Sequence, residues 1–97
     1  MPHASDLFRK ALAIRPDFPD ALLQLADLTY ADGAGLAARA LLERYFKAGP
    51  ETPESLLLAV RIEHSLNNPS GVDRYRKKLL QQFPESPQAL ELGTGGG

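Results

Sequence analysis

The chain has no cysteine among its 97 residues. Disulfides, thiolate nucleophiles and cysteine-ligated metals are therefore excluded, while the compartment stays open, because reducing and oxidising surroundings both tolerate such a chain. β-Branched aliphatics are nearly as scarce: valine and isoleucine together number four, against thirty leucines and alanines. Strands select β-branched residues, whereas leucine and alanine lose little on entering a helix, so an all-α chain is expected. Neither sign of charge is in excess. The net charge is -1, and no strong field draws the chain to nucleic acid or to an anionic membrane. No stretch approaches the roughly 20 apolar residues that span a bilayer, and neither a basic region nor an apolar segment of a signal peptide follows Met1. The only histidines are His3, in a segment expected to fray, and His64. A metal site needs several clustered ligands, so no metal is expected. No base and orienting acid accompany Ser55, Ser65 or Ser70 as a hydrolase triad requires. Gly33-Ala34-Gly35 lacks the lysine of a phosphate loop. These absences point away from an enzyme and from any cofactor.

What is present is a ladder of prolines. Six of the eight fall in three pairs, Pro16 with Pro19, Pro50 with Pro53 and Pro84 with Pro87, each pair 34 residues from the last. An acid follows the first proline every time: Asp17, Glu51, Glu85. The first proline of a pair cannot continue a helix and so follows a helix end. The second sits at a helix start, where its missing amide costs nothing. Thr52 and Ser86 stand in position to cap the helices that follow them, while Phe18 cannot cap through its side chain. A period of 34 residues is that of the tetratricopeptide repeat, a pair of antiparallel helices.

Two helices, A and B, fit between successive proline pairs. The first A helix is expected over Pro19 to Asp32, with Leu22, Leu25, Ala26, Leu28 and Thr29 at helical spacing. Gly33 and Gly35 break it. The first B helix is expected over Leu36 to Lys47, with Ala38, Leu41, Leu42, Tyr45 and Phe46 inward. The second A helix is expected over Pro53 to Leu66. The second B helix is expected over Gly71 to Phe83 after a break at Asn67-Asn68-Pro69, with Ser70 as its N-cap and Asp73 as capping-box partner. Ala4 to Arg15 reads as a lone B helix, because Ala4, Phe8 and Ala11 match Ala38, Leu42 and Tyr45 one period on. Pro87 to Leu92 reads as the start of another A helix. The expectation is a tetratricopeptide-repeat solenoid of antiparallel helical hairpins, with about two full repeats and flanking partial ones. The repeat domain covers residues 1–92 and is a piece of a longer array, and a flexible glycine-rich tail covers residues 93–97.

Several segments resemble a particular family. They are Asp20-Ala-Leu-Leu-Gln-Leu-Ala-Asp-Leu-Thr-Tyr30, then Ala38-Arg39, then Ser55-Leu56-Leu57-Leu58-Ala59-Val60-Arg61-Ile62-Glu63, and Tyr75 through Phe83-Pro84-Glu85-Ser86. Together they resemble the C-terminal repeats of the type IV pilus biogenesis family PilF/PilW, tetratricopeptide-repeat pilotins. The resemblance runs from about Ala4 to Leu90. It implies a protein-binding scaffold on the periplasmic face of the outer membrane that helps the pilus secretin assemble. The family's lipid-anchoring N-terminal cysteine is absent from this chain.

In such arrays the A helices line the usual partner groove. The first A helix should show Asp20, Leu23, Asp27 and Tyr30 there, and a shift of 34 residues gives Glu54, Leu57, Arg61 and His64 on the second. The candidate partner groove is thus Leu23, Asp27, Tyr30, Leu57, Arg61 and His64. A second register is open. Burying Ser55, Leu58, Ala59, Ile62 and Leu66 reads better than burying Leu56, Val60 and Glu63, which would bury an acid, and it leaves the latter three nearer the groove. Tyrosine and arginine are residue types that anchor interfaces; the alternative is that Tyr30 caps the core edge and Arg61 pairs with an acid such as Asp27. Capture of a C-terminal carboxylate is disfavoured, since Leu23 and Asp27 stand where lysine and asparagine would be needed. Arg74, Arg76, Lys77 and Lys78 form a basic cluster, read either as a solvated face or as a contact for anionic headgroups or an acidic partner. Leu7, Leu12 or Ile14 are candidates for exposure on the first helix, which favours self-association through array ends.

Overall fold

The computed structural model describes residues 3–95, with side-chain surroundings for residues 5–92. The side chain of His3 and the last two residues of the expected tail lie outside the described residues. Six helices and no strand occur among the described residues: α1 His3–Ile14, α2 Pro19–Ala31, α3 Gly35–Ala48, α4 Pro53–Ser65, α5 Pro69–Gln82 and α6 Pro87–Gly95. Each proline of the ladder does what its chemistry dictates. Pro19, Pro53 and Pro87 open α2, α4 and α6.

The caps explain the boundaries. Thr52 and Ser55 form a reciprocal box, with the Ser55 amide donating to the Thr52 hydroxyl at 3.1 Å and the Thr52 amide donating to the Ser55 hydroxyl at 2.9 Å. Ser86 caps α6 by accepting the Ala89 amide at 3.1 Å. Phe18 supplies no side-chain cap to α2. Ser70 is not the N-cap of α5. That helix starts two residues earlier than the sequence suggests, with Pro69 in its first turn and Asn68 at the N-cap position, and Ser70 donates to the Asn68 side-chain oxygen at 3.0 Å instead. Proline's fixed φ suits the first helical turn, so Pro69 starts the helix rather than interrupting it.

Both A helices end in the same left-handed turn. Gly33 after α2 has φ 86° and Asn67 after α4 has φ 56°. Ala34 and Asn68 then donate back to the Thr29 and Glu63 carbonyls at 3.1 and 3.0 Å, and Gly33 and Asn67 to Tyr30 and His64 at 2.9 and 3.1 Å. This is the doubly bonded Schellman arrangement.

The chain divides into two compact units, Met1–Pro50 and Glu51–Gly97. In the first, α2 packs against both α1 and α3. Its core holds Leu22, Leu25 and Ala26 of α2 with Ala38, Leu42 and Tyr45 of α3, while Leu41 and Phe46 are half-buried. Tyr45 buries its ring and satisfies its hydroxyl by donating to the Pro50 carbonyl at 2.6 Å. Leu12 is buried in this unit, so of the α1 residues considered for exposure only Leu7 and Ile14 remain outside. In the second unit α4 packs against α5 and α6, and α5 packs against α6. A small residue, Ala21, Ser55 or Ala89, is buried at the same period position on all three A helices. It lets a neighbouring helix approach closely.

Candidate functional site

The predicted residues of the A helices differ in exposure. On α2, Asp20 and Asp27 are exposed and Leu23 and Tyr30 are half-buried. The i, i+3, i+7, i+10 spacing sets these four on one face. On α4, Glu54, Arg61 and His64 are exposed, with Leu57 buried between them at 7% accessibility. Three of the four residues obtained by shifting the α2 stripe one period are thus exposed on α4, and Leu57 is not.

The other register is corrected. Leu56, Val60 and Glu63 are buried and do not face outward, and Ser55, Leu58, Ala59 and Ile62 are buried as well. The objection to burying an acid fails for a local reason. The Asn68 side-chain amide donates to Glu63 Oε1 at 2.8 Å, and the first turn of α5 carries Gly71 where a larger residue would collide. A Cβ on Gly71 would lie 2.8 Å from Glu63 Oε1 and 2.7 Å from Asn68 Nδ2. The carboxylate thus sits at the amide-rich end of α5, which favours negative charge. Nothing in residue type alone separates this glutamate from a surface one; the pairing of Glu63 with Asn68 and Gly71 was the signal available.

Arg61 does meet an acid, but that acid is Glu91 of α6, with Nη2 2.7 Å from Oε2. Both side chains are about half accessible, so the pair orients Arg61 and adds little stability. The basic cluster of α5 is partly spoken for. Lys78 donates to Glu51 Oε2 at 2.7 Å, and Arg74 lies over the Tyr75 ring, 4.8 Å from its centroid. Gln82 also donates to Glu51, at 2.8 Å. The Lys78 hydrogen bond, with that of Gln82 behind it, holds the Glu51 carboxyl below the usual carboxylate range. One period earlier, Arg44 of α3 reaches the Pro16 carbonyl at 2.8 Å. The cation at the same period position of α3 and of α5 thus ties down the proline loop ahead of its A helix, through the Pro16 carbonyl in one case and the Glu51 carboxylate in the other.

These residues are arranged on a repeating helical scaffold. The tetratricopeptide repeat family matches residues 3–62. The chain belongs to the tetratricopeptide-repeat family. Two curated proteins are similar to this tetratricopeptide-repeat chain along nearly all of its length. Cellulose synthase operon protein C of Xanthomonas axonopodis pv. citri is 39% identical over 98 residues, covering 96% of this chain and 6% of that protein. Type IV pilus assembly protein PilF of Pseudomonas aeruginosa is 26% identical over 89 residues, covering 92% of this chain and 35% of that protein. The chain thus spans about a third of one relative and a small fraction of the other. Among solved structures, that of Pseudomonas aeruginosa PilF superposes with a TM-score of 0.84 at 24% identity, covering 94% of this chain and 41% of that one. The crystal structure of PilW, described as a widely conserved type IV pilus biogenesis factor, gives 0.84 at 25% identity, covering 91% and 40%. The tetratricopeptide-repeat fold is an all-α solenoid of antiparallel helical hairpins, and the likeness to PilF and PilW extends from sequence to fold.

Proposed function

We propose that the chain is a protein-binding scaffold of type IV pilus biogenesis, acting as pilotins do to help a secretin assemble at the periplasmic face of the outer membrane. The observation that carries this reading is the double likeness to PilF, in sequence over 92% of the chain and in fold over 94%. The partner-binding residues are Leu23, Asp27 and Tyr30 on α2 in the first unit and, in the second, Arg61 and His64 on α4, with Leu57 buried between them. The chain binds rather than catalyses, since on α2 the exposed Asp20 and Asp27 alternate with half-buried Leu23 and Tyr30 in the manner of an interface. No helix among the described residues is long and apolar enough to cross a membrane.

The test is deletion of the gene that encodes the chain, followed by a search for heat- and detergent-resistant secretin multimers in outer-membrane fractions. Loss of multimers, restored by the intact gene, supports the reading; normal multimers and normal pili overturn it. A second reading follows from the 39% identity to cellulose synthase operon protein C: a tetratricopeptide adaptor in a polysaccharide-synthesis complex. The same deletion strain separates the two, because this reading leaves secretin multimers intact and lowers cellulose dye binding.

A further inference from the structure

We infer that the cleft at the turn between α4 and α5 seats an arginine or lysine side chain of the bound polypeptide; this rests on the reading of the chain as a protein-binding scaffold. The cleft has a volume of about 360 Å³ and is lined by His64, Asn67, Asn68, Pro69, Val72 and Asp73. His64 ends the exposed stripe of α4, so the stripe leads into the cleft. The left-handed turn at Asn67 and the proline start of α5 shape it.

Its chemistry selects a long cation. Pro69 and Val72 offer an apolar wall for a methylene stem, and Asp73 offers a carboxylate for the head group. Asp73 takes part in no ion pair or side-chain hydrogen bond among the described residues, although Arg76 and Lys77 stand at i+3 and i+4 on its own helix. Arg74 lies over Tyr75 and Lys78 is held by Glu51. The start of α5 carries a partial positive charge that would favour an anion, but Glu63, buried beside Gly71, already sets a carboxylate against it. An acidic side chain would be repelled, and an apolar one would strip water from Asp73 and the asparagine amides without pairing them. The stripes agree in sign. Asp20, Asp27, Glu54 and Glu91 are exposed on A helices, and Arg61, the one exposed lysine or arginine there among the described residues, is engaged by Glu91.

The test uses the 97-residue chain and three small probes: N-acetyl-arginine amide, its uncharged analogue N-acetyl-citrulline amide, and N-acetyl-glutamate amide. Nuclear magnetic resonance follows the Val72 methyl and the Asn67 and Asn68 side-chain amide signals. The arginine probe is expected to shift them saturably and to bind at least about fivefold more tightly than the citrulline probe, a factor typical of one charge pair. The glutamate probe is expected to leave them in place. Asp73→Asn, an exposed substitution checked by circular dichroism, is expected to erase the preference for arginine over citrulline. Equal binding of arginine and citrulline to the unaltered chain, or shifts that avoid the cleft, would overturn the inference even if the variant fails to fold. Because the probes need no natural partner, failure here leaves the scaffold reading standing, and loss of the scaffold reading is seen separately in the secretin multimers.

Discussion

Asn67 occupies a backbone conformation that favours glycine, φ 56°, at the period position where α2 is followed by Gly33 at φ 86°. Asparagine tolerates this region because its short polar side chain can bond locally, whereas a β-branched residue crowds its own carbonyl. Asn67→Val is therefore expected to cost about 1–2 kcal/mol, and Asn67→Gly to stay within about 0.5 kcal/mol of the parent, both read from urea midpoints. Gly71 is constrained differently, by neighbours rather than by φ. Its added Cβ would meet Glu63 Cγ at 2.9 Å and Glu63 Oε1 at 2.8 Å. Alanine gains up to about 1 kcal/mol of helix propensity but overpacks a buried carboxylate, at about 1–3 kcal/mol. Gly71→Ala is expected to destabilise on balance, and to do so less in a Glu63→Ala background. A double-mutant cycle with coupling below about 0.5 kcal/mol would show that the two residues do not share this space.

Helix by helix, the physics of proline and of caps carried most of the architecture. Three proline pairs with a fixed period place the starts of α2, α4 and α6, and Thr52 and Ser86 cap as their positions demand. The start of α5 was less legible because Ser70 looks like a cap by type, while Pro69 competes for the first turn and wins. The face of α4 was illegible by pattern alone. Eight of its thirteen residues are buried, including Glu63, so an apolar stripe cannot be read off, and only the period shift from α2 identifies Glu54, Arg61 and His64 as the exposed side. The role of Glu51, the acid after Pro50, is clearer once α5 is seen to hold it through Lys78 and Gln82. Since the Glu51 pKa is lowered in the folded chain, its contribution to stability is present above the ordinary carboxylate value of about 4.3 and is lost as pH falls through the lowered one. The ion pair is partly exposed, so this contribution is at most about 1 kcal/mol. Glu51→Gln is expected to lower the urea midpoint slightly at neutral pH, and the gap to the parent is expected to narrow as pH falls below about 4.3; a gap that does not change with pH would remove the electrostatic account.

At the scale of the whole molecule, a repeat protein is stabilised by each helix covering its neighbour, so an apolar residue left outside marks a surface still to be covered. Leu7 of α1 is 65% accessible and Ile14 is 83% accessible. They lie seven residues apart, on one face. One period on from Leu7, Leu41 of α3 is half-buried rather than exposed. Covering a leucine or isoleucine fully is worth about 1.5–3 kcal/mol, and a second copy of the chain offers the same apolar pair in return, as a two-fold interface requires. The 97-residue chain is therefore expected to self-associate with rising concentration, through α1. Sedimentation equilibrium should show a weight-average mass that climbs above the monomer for the parent chain. The double variant Leu7→Glu with Ile14→Glu should hold at the monomer mass, with its far-ultraviolet circular dichroism unchanged because neither residue belongs to the core. A parent chain that stays monomeric up to millimolar concentration would mean that these two side chains are tolerated singly by solvent, as isolated surface apolar residues are in most soluble proteins.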